Sequence, residues 1–134
     1  MAVDASLAGR TFPPTLPYEV TRGKLAEFAA ATGNAYDGGP APATFPIVVA
    51  FGAMLGLMSD PSVGIELHNV VHGDQRFVYT RPVVAGDVLT ATLTVEGLRQ
   101  IGGADIISTR SDLVDDSGEL VVQAYATLVH KAGA

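Results

Sequence analysis

The chain has 134 residues, 48% of them hydrophobic and only 16% charged, which suits one folded domain over residues 1–134 and leaves little material for a disordered tail. Eight Lys and Arg stand against 14 Asp and Glu, a formal net charge of −6 with no basic run, so nucleic acid is excluded as an expected partner. Without cysteine there is no disulfide framework or thiolate metal site, and the three histidines lack HExxH spacing, so neither a metal nor a resident cofactor is expected.

The opening residues, Met1 to Ser6, lack the basic start and long apolar core of a secretory signal, and cytoplasmic residence is the expectation. After a loose start, Phe12-Pro13-Pro14-Thr15-Leu16-Pro17 is too rich in proline for a helix and reads as extended chain leading to a short strand, Tyr18 to Val20. Thr21 is placed to cap a helix from Arg22 to Thr32, with Leu25, Phe28 and Ala29 on one face and Gly33 as its stop. From Gly33 to Ala43 the chain is loop, with three glycines, two prolines and the polar residues Asn34, Tyr36 and Asp37, and a site is expected here.

Phe45 to Met58 runs fourteen residues without a polar side chain, with Thr44 as the expected cap, and such a helix is expected to be buried all round. At about 1.5 Å per residue it spans about 20 Å, short of the roughly 30 Å hydrocarbon core, so no membrane span is expected. Gly52 and Gly56 either let strands press close to its backbone or are simply tolerated in a packed helix.

The remainder reads as strand and turn. A long strand is expected over 66–83 with a bulge or bend at His72-Gly73-Asp74, and Ala85-Gly86-Asp87 turns the chain. Leu89, Ala91, Leu93 and Val95 alternate strictly with Thr90, Thr92, Thr94 and Glu96, the period of a half-buried strand. Gly102-Gly103 makes a hairpin turn into a strand over 104–114, and Asp115 to Gly118 turns into a last strand over 119–131, with Leu120, Val122, Ala124, Ala126 and Leu128 on one face.

One fully apolar helix followed by an antiparallel meander implies an α+β hot-dog arrangement, with the sheet curled around the helix. An edge strand then stays open, and a mean hydropathy of +0.31 points to a second subunit covering part of the surface.

Three separated blocks resemble the MaoC-like hydratase and dehydratase superfamily, in particular its fatty-synthase-like dehydratase N-domain branch, typified by the A subunit of mycobacterial 3-hydroxyacyl-ACP dehydratase. They are 18–29 (YEVTRGKLAEFA), 41–45 (APATF) and 77–87 (FVYTRPVVAGD), and the similarity extends over nearly the whole chain. The resemblance implies action on acyl thioesters carried by CoA or acyl-carrier protein, by hydration of trans-2-enoyl groups or dehydration of (R)-3-hydroxyacyl groups. Active members carry Asp-x-Asn-Pro-Ile/Leu-His after the first helix, whose Asp and His move the protons. A backbone amide at the start of the central helix polarises the thioester carbonyl.

At the matching place this chain reads Thr32-Gly33-Asn34-Ala35-Tyr36-Asp37-Gly38-Gly39, with Asn34 in the aspartate's position and no histidine in the loop. Asp37 is a weak substitute as base, three residues further on. Ala43 stands where the resemblance places the oxyanion glycine, and its amide remains a donor. The substrate-binding candidates are therefore Asn34, Tyr36, Ala43, Thr44, Phe45 and His72, with Phe45 and Phe51 either lining an acyl channel or packing as core.

His68 and His72 are read on one strand face and His130 as a solvated strand end. Arg76, Arg81, Arg99 and Arg110 either receive the phosphates of a CoA or carrier group or simply solvate the sheet. The expected function is the acyl-binding, non-catalytic subunit of a dimeric (R)-specific hydratase or dehydratase, a lyase complex whose Asp and His come from a second hot-dog chain. The alternatives are a homodimer that binds an acyl-CoA or other apolar ligand without turnover, and a thioesterase using Asp37 or Glu66.

Overall fold

The computed structural model describes residues 3–131. A 3-10 turn at Ala5–Leu7 precedes strand β1 (Tyr18–Glu19), helix α1 (Arg22–Ala31) and helix α2 (Ile47–Ser59). A second 3-10 turn, Leu67–Asn69, leads into strands β2 (Val70–Tyr79), β3 (Val88–Ile101), β4 (Ala104–Val114) and β5 (Leu120–Lys131). The strands form one antiparallel sheet in the order β1-β3-β4-β5-β2.

Period-two patterning sets the face that this sheet buries. Leu89, Ala91, Leu93 and Val95 of β3, Ile107 and Leu113 of β4, and Val122, Ala124, Ala126 and Leu128 of β5 all lie in the core. Against them α2 sets Val49, Ala50, Ala53, Met54, Leu57 and Met58, the i, i+1, i+4, i+5 pattern of one helical face. Each fully buried Leu, Met or Val contributes about 1.5–3 kcal/mol, which makes this seam the main source of stability. The curled sheet around α2 is the hot-dog arrangement. Gly102 and Gly103, at φ 58° and 80°, supply the two left-handed residues of the β3–β4 hairpin. Among the described residues no helix is long and apolar enough to cross a membrane.

Several expectations are corrected. From Val3 onward the start of the chain is anchored rather than loose, because Val3 and Leu7 are buried in the core. Helix α2 begins at Ile47, since Pro46 has no N–H to give and the turn before it closes with shorter bonds, Phe45 N–H to Pro42 O and Ile47 N–H to Thr44 O. Thr44 does not cap it. Nor is α2 buried all round, with Phe51 44% and Leu55 40% exposed beside Gly52 and Gly56. No strand presses on those glycines. Gly52 faces the Thr15 methyl at 3.7 Å, in the proline-rich segment that bonds along β3 through Phe12 N–H to Leu93 O and Thr15 N–H to Ala91 O.

The strand expected over 66–83 is shorter, with a 3-10 turn before it and a break after Tyr79. Its bulge is where the sequence put it, between His72 and Asp74. A Cβ on Gly73 would sit 3.3 Å from the Thr127 carbonyl oxygen, which accounts for glycine there. Leu120 leaves the inner face and is exposed, because the β4–β5 register shifts between Leu113 and Val114 and Val121 takes a buried place instead. His68 belongs to the 3-10 turn and shares no strand face with His72. His130, far from solvated, is fully buried.

Strand β2 is a sheet edge and pairs only with β5. Val71 is 65% exposed on it and Leu67 55% exposed just before it. Leu67 shares a cavity with Phe51 of α2, while Val71 lies on the outer face of the sheet opposite Val129, and no described residue covers this apolar surface.

Candidate functional site

Two cavities meet at Ala43. One, of about 310 Å³, is lined by Asn34, Ala35, Tyr36, Asp37, Pro40, Pro42 and Ala43. The other, of about 350 Å³ and mostly apolar, is lined by Ala41, Ala43, Tyr79, Thr80, Arg81, Pro82 and Val83. The segment between α1 and α2 thus forms one wall of each, and the end of β2 closes the second.

Local bonds fix the loop. The Asn34 amide bonds back to the Ala29 carbonyl at 2.7 Å and its side-chain nitrogen to the Thr32 carbonyl at 3.3 Å, so Asn34 finishes helix α1. Gly39 is gripped from both sides, its N–H given to Asp37 Oδ1 and its carbonyl accepting the Tyr36 hydroxyl, each at 2.9 Å. Ala41 N–H donates to Val83 O at 2.8 Å, and the Tyr79 hydroxyl donates to the Ala43 carbonyl. Burial raises the Tyr79 hydroxyl above the usual phenol range, so it stays a donor at neutral pH. Among the described residues the N–H groups of Ala43 and Thr44 donate to no protein acceptor.

Of the residues singled out from sequence, Asn34, Tyr36, Asp37 and Ala43 come together, and Thr44 is exposed next to them. Phe45 does not join them. Its ring is fully buried, edge-on to Phe28 at 5.4 Å and tilted against Tyr18 at 6.5 Å, which places it in the core and not on a channel wall. His72 lies apart, on a cavity of about 160 Å³ with Phe51, Met54, Met58, Leu67, Val70 and Leu128, and its Nε2 is 3.0 Å from Gln75 Oε1. Phe51 is exposed there.

Neither cavity at Ala43 contains an imidazole. His68 is exposed near Glu66, at 3.7 Å, while His130 is sealed between Asp105 and the Glu66 amide. Asp37 faces no proton partner beyond the Gly39 amide. The arrangement offers donors and acceptors that orient a polar ligand, and among the described residues no histidine stands by Asp37 to complete an acid–base pair.

The arginines divide. Arg81 is bidentate to Asp87 at 2.9 and 3.1 Å and reaches Asp115 at 3.2 Å, tying the 84–87 turn to the 115–118 turn, and these carboxylates hold it cationic and occupied. Arg110 is held by Glu96 and Asp112, and Arg76 lies over the Tyr125 ring at 4.0 Å. Arg99 is exposed on β3. Sequence reasoning did not single out Tyr79, Thr80, Pro82 or Val83. The available signal was the parity of Tyr79 with Phe77 along β2, which puts both on the inner face opposite Val122 and Ala124.

A family model, the FAS1-like dehydratase domain region, matches residues 6–124. A UPF0336 protein of Streptomyces coelicolor is 44% identical, with 98% of this chain and 97% of the relative covered. One chain of the HadBC (3R-hydroxyacyl-ACP dehydratase) complex of Mycobacterium tuberculosis superposes with a TM-score of 0.80 at 34% identity, covering 92% of this chain and 96% of that one. A MaoC-like dehydratase gives 0.79 at 26% identity, with 96% of this chain matched to 43% of that chain.

Proposed function

Since the chain belongs to the FAS1-like dehydratase-region family, among the MaoC-like hot-dog proteins, we propose that it is an acyl-thioester-binding, non-catalytic subunit of a dimeric (R)-specific hydratase or dehydratase. The observation that carries this reading is the cleft at Ala43: two cavities that share this residue, backbone donors without a described protein acceptor, no histidine on either wall, and Asn34 at the place where the resemblance puts the motif's aspartate. An amide neither takes nor gives a proton at neutral pH. A thioester carbonyl needs only a donor for binding, and the Ala43 amide supplies one.

The likeness to a chain of a two-component dehydratase supports a second hot-dog subunit as partner. So does the uncovered apolar surface of α2 and the β2 edge. That partner brings the Asp and His. The chain's own part is to seat the acyl thioester, carried on CoA or acyl-carrier protein, so that the partner's groups meet it in register. Positioning of this kind changes rates by as much as about 10²-fold without any proton-transfer group.

Calorimetric titration of the purified chain with crotonyl-CoA tests the reading. Saturable binding without change in the enoyl absorbance is the expected result. Failure to bind any acyl-CoA of four to twelve carbons would overturn it.

A further inference from the structure

The Tyr79 hydroxyl crosses from the end of β2 to the Ala43 carbonyl, 36 residues away in the chain. It is one of two ties that hold the loop against this strand exit, the other being Ala41 N–H to Val83 O at 2.8 Å, and the two bracket Pro42. Tyr79 and Ala43 both line the 350 Å³ cavity, and Ala43 also lines the 310 Å³ one. The clamp therefore sits at the seam of the candidate site.

Peptide geometry gives the clamp a consequence. The Ala43 carbonyl and the Thr44 N–H belong to one planar unit, so a hydrogen bond to the oxygen fixes the direction of that N–H. Donation to the carbonyl also polarises the unit and makes its N–H a better donor. Pro42 on one side and Pro46 on the other limit how the turn can answer if the bond is lost, because each has a fixed φ and no N–H. The Thr44 amide, which no protein acceptor uses among the described residues, is thereby held in place before a ligand arrives, beside the Ala43 amide, whose own peptide unit is held by Phe45 N–H to Pro42 O.

We propose that Tyr79 is a positioning residue for the carbonyl of an acyl thioester: it aims the Thr44 N–H of the Ala43–Thr44 turn and touches no reacting atom. The inference rests on reading the chain as an acyl-thioester binder. Tyr79 is suited to the task because its ring belongs to the inner face of β2 and its hydroxyl is a protonated donor.

The test compares two ligands that differ only at the carbonyl, octanoyl-CoA and its S-octyl thioether, on wild-type protein and on Tyr79→Phe, which keeps the ring and deletes the hydroxyl. Wild type is expected to prefer the thioester about tenfold, the worth of one well-aimed hydrogen bond. In Tyr79→Phe that preference falls to near unity while thioether affinity stays constant. Retention of the preference in Tyr79→Phe overturns the inference, as does parallel weakening of both ligands, which marks a role in structure alone. Absence of binding by wild type to either ligand instead overturns the functional reading beneath it, and the inference with it. A ligand-free arm follows amide hydrogen exchange at Phe45, Ile47 and Val48, whose N–H groups bond within the turn. Exchange about five- to tenfold faster in Tyr79→Phe is expected, and unchanged exchange would show that the hydroxyl does not hold the turn.

Discussion

His130 and Asp105 form a sealed pair, 2.9 Å from Nδ1 to Oδ2, on neighbouring strands β5 and β4. The Glu66 amide donates to His130 Nε2 at 3.0 Å, so that nitrogen accepts and Nδ1 carries the proton given to Asp105. Asp105 also receives the Val3 amide at 3.2 Å and Gln100 Nε2 at 2.8 Å. One carboxylate thus gathers the N-terminal segment, the β3–β4 hairpin and the chain before β2. Burial alone would raise its pKa, but the bonds from His130, Gln100 and Val3 outweigh burial and hold it below the usual carboxylate range.

Removing that acceptor leaves two buried donors, His130 Nδ1 and the Val3 amide, without a partner, while Gln100 keeps its bond to the Val3 carbonyl. Asp105→Ala is expected to cost about 2–4 kcal/mol, a fall in melting temperature of roughly 10 °C, with the fold retained. Urea denaturation followed by circular dichroism measures it. A loss under about 0.5 kcal/mol would mean that the network contributes little.

Acid should expose the same economy of carboxylates. Asp115 is held at about 2, first by the Ser117 hydroxyl, then by the Glu119 amide, with Ser117 N–H and Arg81 adding to them. Both Asp105 and Asp115 bind protons less readily folded than unfolded, so their contribution is complete above about pH 4 and lost as pH falls toward 2. The urea midpoint should decline through that window, and less steeply in Asp115→Asn. A carboxyl NMR titration that finds Asp115 near 3.9 would contradict the assignment.

The apolar surface of α2 and β2 predicts association. The chain should run as a dimer at micromolar concentration in light scattering, and Leu67→Lys together with Phe51→Lys should make it monomeric without unfolding it, because both side chains already face outward around one cavity. A wild-type chain that stays monomeric at that concentration counts against a hot-dog partner on this face.

The fold was legible because its strongest signals are periodic. The alternation of Leu89 to Val95, the glycine pair at 102–103 and the polar-free run around Ala50 each demand one local structure, and the bulge at Gly73 showed as a glycine inside a strand pattern. Composition misled where partners from distant chain decide the outcome. His130 looked solvated because nothing near it in sequence reveals Asp105, 25 residues earlier. Helix α2 looked wholly buried because an exposed apolar face reads the same in sequence as a core face. At the candidate site, the loop residues Asn34, Tyr36 and Asp37 were singled out from composition and Ala43 from resemblance, and the fold brings the four to one cavity. Phe45 followed the common fate of a large aromatic beside a helix start and packed inward. Tyr79 was missed because its parity with Phe77 marks only an inner-face position, while its partner, the Ala43 backbone carbonyl, leaves no mark in sequence.

The central claim is that this chain seats an acyl thioester and leaves proton transfer to another subunit. Its most direct test is turnover of crotonyl-CoA by the purified chain alone and after reconstitution with a MaoC-like hot-dog chain that carries the Asp-x-Asn-Pro-x-His motif. The account predicts no hydration by the lone chain, and hydration by the pair at a rate above that of the Asp/His chain by itself. Turnover of about 1–10³ s⁻¹ by the lone chain, abolished in Asp37→Asn, would contradict it and make Asp37 the base.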